Sequence, residues 1–284
     1  MRTLIGVIVV VLVAACCSGA GAARRPVPRF AHVLVVVLEN KDQPNVLGDS
    51  AAPNFNAFAR RYAVLSNYGG VAHPSLPNYL ALISGSTQGI TSDCTGCLVN
   101  GQNLADTLER RHKTWKAYAE GLPSPGFTGS SMGRYAKKHV PFLYFQNVLS
   151  KPSRLRRVVP LTQFSRDLAA RRLPAFSLIV PDLCHDMHDC SVRTGDTWLG
   201  GFLTPLLKNR QLKKSVIFVI TDEPKDSNPS APVPALALGA LVKPGSRYSR
   251  QTSHYGLLRT IEDAWGLTRL GRSAQVKPIT GIWR

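Results

Sequence analysis

Acidic residues are scarce in this chain: 17 Asp and Glu stand against 35 Lys and Arg in 284 residues, a formal net charge of +18. A surface so short of acids argues against cationic partners and favours anionic ones: phosphate esters, nucleic acids or acidic membranes. Aromatic residues are not interleaved within the basic clusters, which are Arg60-Arg61, Arg110-Arg111-His112-Lys113, Lys137-Lys138-His139, Arg154 to Arg157 and Arg171-Arg172. A platform for single-stranded nucleic acid needs interleaved aromatics, so no specific nucleic-acid partner is expected. Most of these clusters read as solvated helix faces. Only Arg134 to His139 is placed to meet an anionic substrate. No internal repeat is visible, which excludes a solenoid or propeller. The first apolar run, Leu4 to Val13 with Gly6 inside it, is too short to span a bilayer comfortably.

That run follows Arg2 and precedes Ala14-Ala15-Cys16, the layout of an export signal. Val13-Ala14-Ala15-Cys16 resembles a lipobox, in which Cys16 is lipidated and anchors the protein to a membrane. The alternative is an ordinary cleaved signal ending near Ala20 to Ala23. Residues 1–15 are therefore expected to be a lipoprotein-type signal peptide, 16–29 a small, basic tether, and 30–284 a single domain. Of the six cysteines, Cys16 and Cys17 belong to the leader, and the others form two local pairs, Cys94/Cys97 and Cys184/Cys190. In an exported chain two short-loop disulfides are the default. The alternative for Cys94-Thr-Gly-Cys97 is half of a zinc site.

The body of the chain alternates two patterns. His32 to Leu38, Phe176 to Val180, Val216 to Ile220 and Ala235 to Val242 are continuous apolar runs, the signature of strands buried on both faces. Pro53 to Tyr62, Asn103 to His112, Leu161 to Arg171, Thr194 to Leu207 and Ser253 to Trp265 have helical spacing. Buried strands alternating with helices predict an α/β fold with a mostly parallel central sheet. Residues 123–160 are irregular and rich in Pro, Ser and Arg, and read either as a cap or insertion over the site or as a long surface loop.

In such sheets ligands bind beyond the carboxyl ends of the strands. The first run ends in Glu39-Asn40, and the third in Thr221-Asp222-Glu223. The second ends in Pro181-Asp182-Leu183-Cys184-His185-Asp186, which leads into His188-Asp189. One acid after a strand usually caps the next helix. Carboxylates and an amide oxygen converging from separate strands make a hard, oxygen-rich cation site. Ser75 begins a helical pattern carried by Leu76, Tyr79, Leu80 and Ile83. Alone, it reads as an N-cap. Beside a cation and a helix N-terminus it reads as a nucleophile. The loop between Cys184 and Cys190 carries a His-x-x-His spacing suited to metal binding, phosphate contact or proton transfer. His32, at the start of the first strand, reads as structural.

Taken together, five stretches resemble a known family. They are His32 to Lys41, His73-Pro-Ser75-Leu-Pro-Asn78-Tyr79 through Gly85, Leu183 to Cys190, Asp222-Glu223, and His254 through Asp263. In this order they are similar to the bacterial phosphoesterase family, which includes acid phosphatases and phospholipases C and is similar in fold to the alkaline phosphatase superfamily. The resemblance runs from about His32 to Trp283. It implies a three-layer sandwich of a central sheet flanked by helices. It also implies a phosphoric ester hydrolase dependent on one or more divalent ions, among Mg, Ca, Mn and Zn. Glu39, Asn40, Ser75, Asp222 and Glu223 match the metal site, and Ser75 the nucleophile of a two-step displacement through phosphoserine. Asn78, His185 and Asp186 match positions near the substrate, and His188 or His254 would protonate the leaving group. The sequence carries none of the large C-terminal domains of the long phospholipases C, which points to an acid-phosphatase-like or short phospholipase-C-like enzyme. One departure stands out: the family has Gly-His just before the Val-Pro of the next strand, where this chain has Ala231-Pro232. Lys225 or a histidine of the stapled loop is a candidate replacement. A catalytically lapsed cell-surface protein that binds anions is the alternative the departure raises.

Overall fold

The computed structural model describes residues 26–225 and 228–284. The expected leader, the lipidation site Cys16 and most of the tether lie outside the described residues. Within the expected tether, Val27 is already packed into the core.

The strands are β1 (Val33–Leu38), β2 (Ala63–Leu65), β3 (Tyr68–Gly69), β4 (Trp115–Ala119), β5 (Ser131–Met132), β6 (Tyr135–Ala136), β7 (Val158–Pro160), β8 (Phe176–Val180), β9 (Val216–Thr221), β10 (Ala235–Leu238), β11 (Arg247–Tyr248) and β12 (Thr252–Ser253). The helices are α1 (Pro53–Arg61), α2 (Ser75–Ser84), α3 (Leu104–Arg110), α4 (Gln146–Leu149), α5 (Pro152–Leu155), α6 (Thr162–Ala169), α7 (Val192–Lys208) and α8 (His254–Trp265). Eight strands form one sheet in the order β11-β2-β10-β9-β1-β8-β4-β7. Only β10 runs against the others. Helices flank the sheet, α1 packing on α7 and α2 on α8. This is the expected α/β sandwich.

The central strands are apolar for a physical reason. Every residue of β1, β8, β9 and β10 is buried, and burying each large aliphatic side chain contributes about 1.5–3 kcal/mol. Helix α1 starts behind Ala52, which has no side chain able to cap it. The buried carboxylate of Asp196 on α7 does so instead, accepting from Asn54 N at 3.0 Å and Phe55 N at 2.7 Å. Helix α2 is buried at every position, so it is a core helix rather than an amphipathic surface one. It ends at Gly85, with φ of 70°, where a Cβ would lie 1.9 Å from Leu270 O, so only glycine fits.

The second half of the segment 123–160 is built into the domain. Val140, Phe142, Leu143, Tyr144, Phe145 and Val148 are core residues, and β7 closes one edge of the main sheet. Both cysteine pairs are disulfides, Cys94–Cys97 with Cα atoms 5.7 Å apart and Cys184–Cys190 at 4.7 Å. With its sulfurs bonded to each other, Cys94/Cys97 is not a zinc half-site.

Candidate active site

The site is built by three neighbouring strands. In the register of β1 against β9, Leu38 lies opposite Thr221, so the next residues, Glu39 and Asp222, emerge side by side. On the other flank of β1, β8 feeds the stapled loop, whose Asp186 carbonyl accepts from Glu39 N at 2.8 Å. Asn40 turns with φ of 48°, a conformation asparagine tolerates better than most residues, and its N–H donates to Asp222 Oδ1 at 3.2 Å. Lys41 Nζ reaches Met187 O at 2.8 Å and ties the two strand ends together.

Ser75 is the first residue of α2, and its hydroxyl does not cap that helix. Its Oγ lies 2.9 Å from Glu39 Oε2 and 3.3 Å from Glu223 Oε1. The helix N-terminus is satisfied by others. Asp93, next to the Cys94–Cys97 disulfide, accepts from Leu76 N at 2.9 Å and is itself held by Lys138 Nζ at 2.9 Å. Freed from capping, a hydroxyl with one proton sits between two carboxylates. Two anions sharing one proton leave excess negative charge that needs a further proton or a cation.

Glu39 is the hub. Its other oxygen accepts from Tyr79 OH and lies 3.4 Å from His139 Nε2. His139 Nδ1 is 3.5 Å from Asp186 Oδ2, and the imidazole stacks on Tyr79 at 5.1 Å. Glu39, His139 and Asp186 thus form a second set of donors sharing Glu39 with the first, all three buried. Burial and neighbouring negative charge hold Glu39 protonated well above the usual carboxylate range. Burial first of all raises Asp222 and Asp186 to about 7 and Glu223 to about 8. His139 is pushed the other way, toward the neutral ring, by burial and by the charges of Lys138 and His188.

These residues fit a divalent cation. Asn40 Oδ1, Asp222 Oδ2 and Asp186 Oδ2 are buried and have no hydrogen-bond partner, an arrangement costly in any protein unless the oxygens serve a ligand. The donor set is mostly carboxylate and amide oxygen, with one imidazole.

One measurable consequence is a stability that falls as pH rises in the metal-free protein. The folded-state carboxylates titrate at about 7 to 8, and unfolded ones near 4. Between those values the folded chain binds more protons than the unfolded one, so each step up in pH costs folding free energy. In EDTA, Tm should drop by about 5–10 °C between pH 5 and pH 8.5, and an excess of the right cation should restore it. A Tm that is flat or rising over that range in EDTA, read by differential scanning calorimetry, would count against the cluster as described.

The structure moves several expected site residues. Asn78 was expected to bind substrate, but its side chain is used up inside the fold. Its Oδ1 accepts from Val71 N and Ala72 N at 2.8 and 3.1 Å, and its Nδ2 donates to Ala72 O at 2.8 Å and Glu223 Oε2 at 3.2 Å. It holds Glu223 and the 71–74 loop in place. Asp186, also expected near substrate, is buried among the cation donors, where a phosphate would be repelled. His185 turns away to Glu120 Oε2 at 2.9 Å and stacks on Trp198 at 5.8 Å. His254 cannot protonate a leaving group: Nε2 is engaged by the Asp222 carbonyl at 2.6 Å and Nδ1 by Tyr68 OH at 2.9 Å. Burial lowers it to about 4, so it braces the Asp222 turn as a neutral ring. His188 stays at the rim, part exposed, with Nδ1 fixed by Asp189 Oδ1 at 2.6 Å.

Two histidines come forward in their place. His139 sat in a basic cluster, and nothing in its neighbourhood in sequence marks it as buried. His73 places Nδ1 2.7 Å from Glu223 Oε2, which puts an imidazole on one of the two carboxylates that hold Ser75. Lys225 is exposed, and its backbone N–H donates to Asp42 Oδ1 at 3.1 Å. Pro232 pairs with Gly69 in an isolated bridge.

The model of the Phosphoesterase family matches residues 47–268. The chain is 38% identical to a phosphatidylinositol-3-phosphatase of Mycobacterium tuberculosis, covering 93% of this chain and 86% of that one. It is 30% identical to an acid phosphatase of Aspergillus fumigatus, covering 86% of this chain and 56% of that one. A solved structure of an alkaline phosphatase superfamily protein from Vibrio parahaemolyticus superposes with a TM-score of 0.59 at 14% identity, covering 90% of this chain and 72% of that one. The chain belongs to the Phosphoesterase family of phosphoric ester hydrolases.

Proposed function

We propose that this protein is an exported, metal-dependent phosphatase of the acid-phosphatase type that works through a phosphoserine at Ser75. The observation that carries the proposal is the Ser75 hydroxyl, on the first turn of a core helix, released from capping and aimed at Glu39 and Glu223. Glu39, Asn40, Asp222 and Glu223 would hold one cation, and Glu39, His139 and Asp186 offer donors for another. A cation bound there supplies positive charge that stabilises the Ser75 oxygen as an anion and the charge on the phosphoryl group. The two carboxylates beside Ser75 are the acceptors available for its proton. Ser75 Oγ bonds to phosphorus as the bond from phosphorus to the leaving oxygen breaks. His188, oriented by Asp189 and open to solvent, is the best-placed donor to that oxygen. Water then breaks the phosphoserine bond, releasing phosphate and returning a proton to Ser75.

Export is supported by the two disulfides, which persist in oxidising compartments. Among the described residues no helix is long and apolar enough to cross a membrane. Anchoring through Cys16 predicts that Cys16→Ser releases the protein from the membrane fraction.

The test of the activity uses p-nitrophenyl phosphate, p-nitrophenylphosphorylcholine and bis-p-nitrophenyl phosphate. The monoester should turn over fastest, EDTA should remove the activity, and one of Mg, Ca, Mn or Zn should restore it. Acid quenching during turnover should leave phosphate on the peptide containing Ser75. Preference for the phosphorylcholine ester would make it a phospholipase-C-like enzyme. Activity that survives EDTA would refute metal dependence, and no turnover with any ester or cation would favour the lapsed, anion-binding alternative.

A further inference from the structure

The Ser75 hydroxyl is nearly buried, and a concavity opens beside the loop that leads into its helix. A cavity of about 450 Å³ opens between the β3–β12 strand pair, the start of α8 and the segment around Lys277. A second, of about 330 Å³, shares Val71, Tyr255 and Arg272 with the first and extends to His73. His73 touches Glu223, and Glu223 touches Ser75. The two concavities therefore adjoin, and the smaller one reaches His73 at the rim of the catalytic site.

The chemistry of the larger one is one-sided. Arg250, Arg272 and Lys277 line the larger cavity and no acid does. Among the described residues, none of the three makes an ion pair with a carboxylate. All three are exposed, so their charge is open to a ligand. Arg272 also lies over the Tyr255 ring at 5.8 Å, which fixes its guanidinium at the junction of the two cavities. Helix α8 begins in the same wall, and its N-cap, Ser253, makes no side-chain cap bond, so the positive end of a 12-residue helix faces the cavity. Thr252 Oγ1, in the same wall, is buried without a hydrogen-bond partner.

We infer that this cavity is a specificity subsite for a second anionic group on the substrate, carried by the leaving-group side of a phosphate ester. It rests on the phosphoesterase reading of the Ser75 site for its kinetic readout. The substrate class it selects is the polyanionic monoester, such as a bisphosphate, over esters with a neutral leaving group. Arg250 and Lys277 hold the second anion, and Arg272 marks the turn toward His73.

The test compares fructose 1,6-bisphosphate with fructose 1-phosphate and fructose 6-phosphate, reading phosphate release. The wild-type protein should favour the bisphosphate in kcat/KM by about tenfold or more, beyond the factor of two for its two esters. In the exposed double variant Arg250→Ser/Lys277→Ser that ratio should collapse to about two, while kcat/KM for p-nitrophenyl phosphate stays within twofold. Arg250→Gln/Lys277→Gln repeats the test should the first variant fold poorly. Lys213→Ser/Lys214→Ser, which removes the same charge at the opposite end of β9, should leave the ratio unchanged. An unchanged ratio in the cavity variants overturns the subsite, and so does an equal loss in the Lys213/Lys214 control, which would assign the effect to overall charge. Calorimetric binding of fructose 1,6-bisphosphate to Ser75→Ala, with and without the cavity substitutions, separates the two readings. A roughly tenfold weakening there without any turnover by the wild type would keep the subsite and reject the phosphatase. Normal turnover with no weakening would do the reverse.

Discussion

Ser75→Ala should lower kcat/KM for p-nitrophenyl phosphate by about 10³- to 10⁵-fold while leaving the fold intact. The loss follows from removing the atom that bonds phosphorus: what remains is only the binding and charge stabilisation that surround it. The second half of the expectation comes from the helix. Were Ser75 an N-cap, its loss would cost about 0.5–2 kcal/mol of stability. Here Asp93 satisfies Leu76 N, and the Ser75 side chain makes no cap bond. Tm at pH 5 should therefore shift by no more than about 2 °C. A variant that keeps full activity would sink the nucleophile assignment. A variant that loses both activity and several degrees of stability would restore the capping role.

Glu39→Gln should separate function from stability in the opposite sense. Glu39 touches Ser75, Tyr79 and His139 from the end of β1 and is wholly buried. Its charge is opposed by burial and by Asp222 and Asp186. A glutamine of the same shape removes that charge and the shared ligand of both donor sets. Turnover should fall by about 10³-fold or more, the scale on which loss of a catalytic cation's charge is felt. In EDTA at pH 8, however, the variant should be more stable than the wild type, by about 1–3 kcal/mol, because the wild-type carboxyl must there either carry a buried charge or hold a proton that the unfolded chain does not bind. The stabilisation of the wild type by added cation should shrink in the variant. A metal-free Glu39→Gln protein less stable than the wild type at pH 8 would show that the carboxylate is a structural acceptor and not a ligand held under strain.

The elements legible in the sequence are those whose burial is uniform. β1 and β10 are wholly apolar and β8 and β9 carry one hydroxyl each, Ser177 and Thr221, so each is recognisable as a strand buried on both faces. The strand β4, Trp-Lys-Ala-Tyr-Ala, was not, because Lys116 interrupts the run and reaches Asp167 and Tyr118 only in the folded sheet. The edge strands β7 and β11, and β2 beside β11, carry too few residues for any period to emerge. The reversed direction of β10 left no mark, since a buried strand has the same composition in either direction. Residues 123–160 read as irregular because their order comes from packing Phe142, Tyr144 and Phe145 into a core built by distant segments.

The site divides in the same way. The local sequence determined which acids stand at strand ends, that Ser75 opens a helix, and that the two cysteine pairs lie close enough to bridge. Those are properties of residues near one another in the chain, where spacing and periodicity speak directly. Tertiary structure alone decided what Ser75 does with its proton, because that depends on Asp93 taking over the helix cap and on Glu39 and Glu223 arriving from two other strands. It alone brought His139 in from the basic stretch 137–139 and His73 onto Glu223. It alone tied Asn78 and His254 into the scaffold and turned His185 to Glu120. A side chain's chemistry is set by its burial and by the charges within a few ångströms of it, and for these residues those neighbours come from elements far away in the chain.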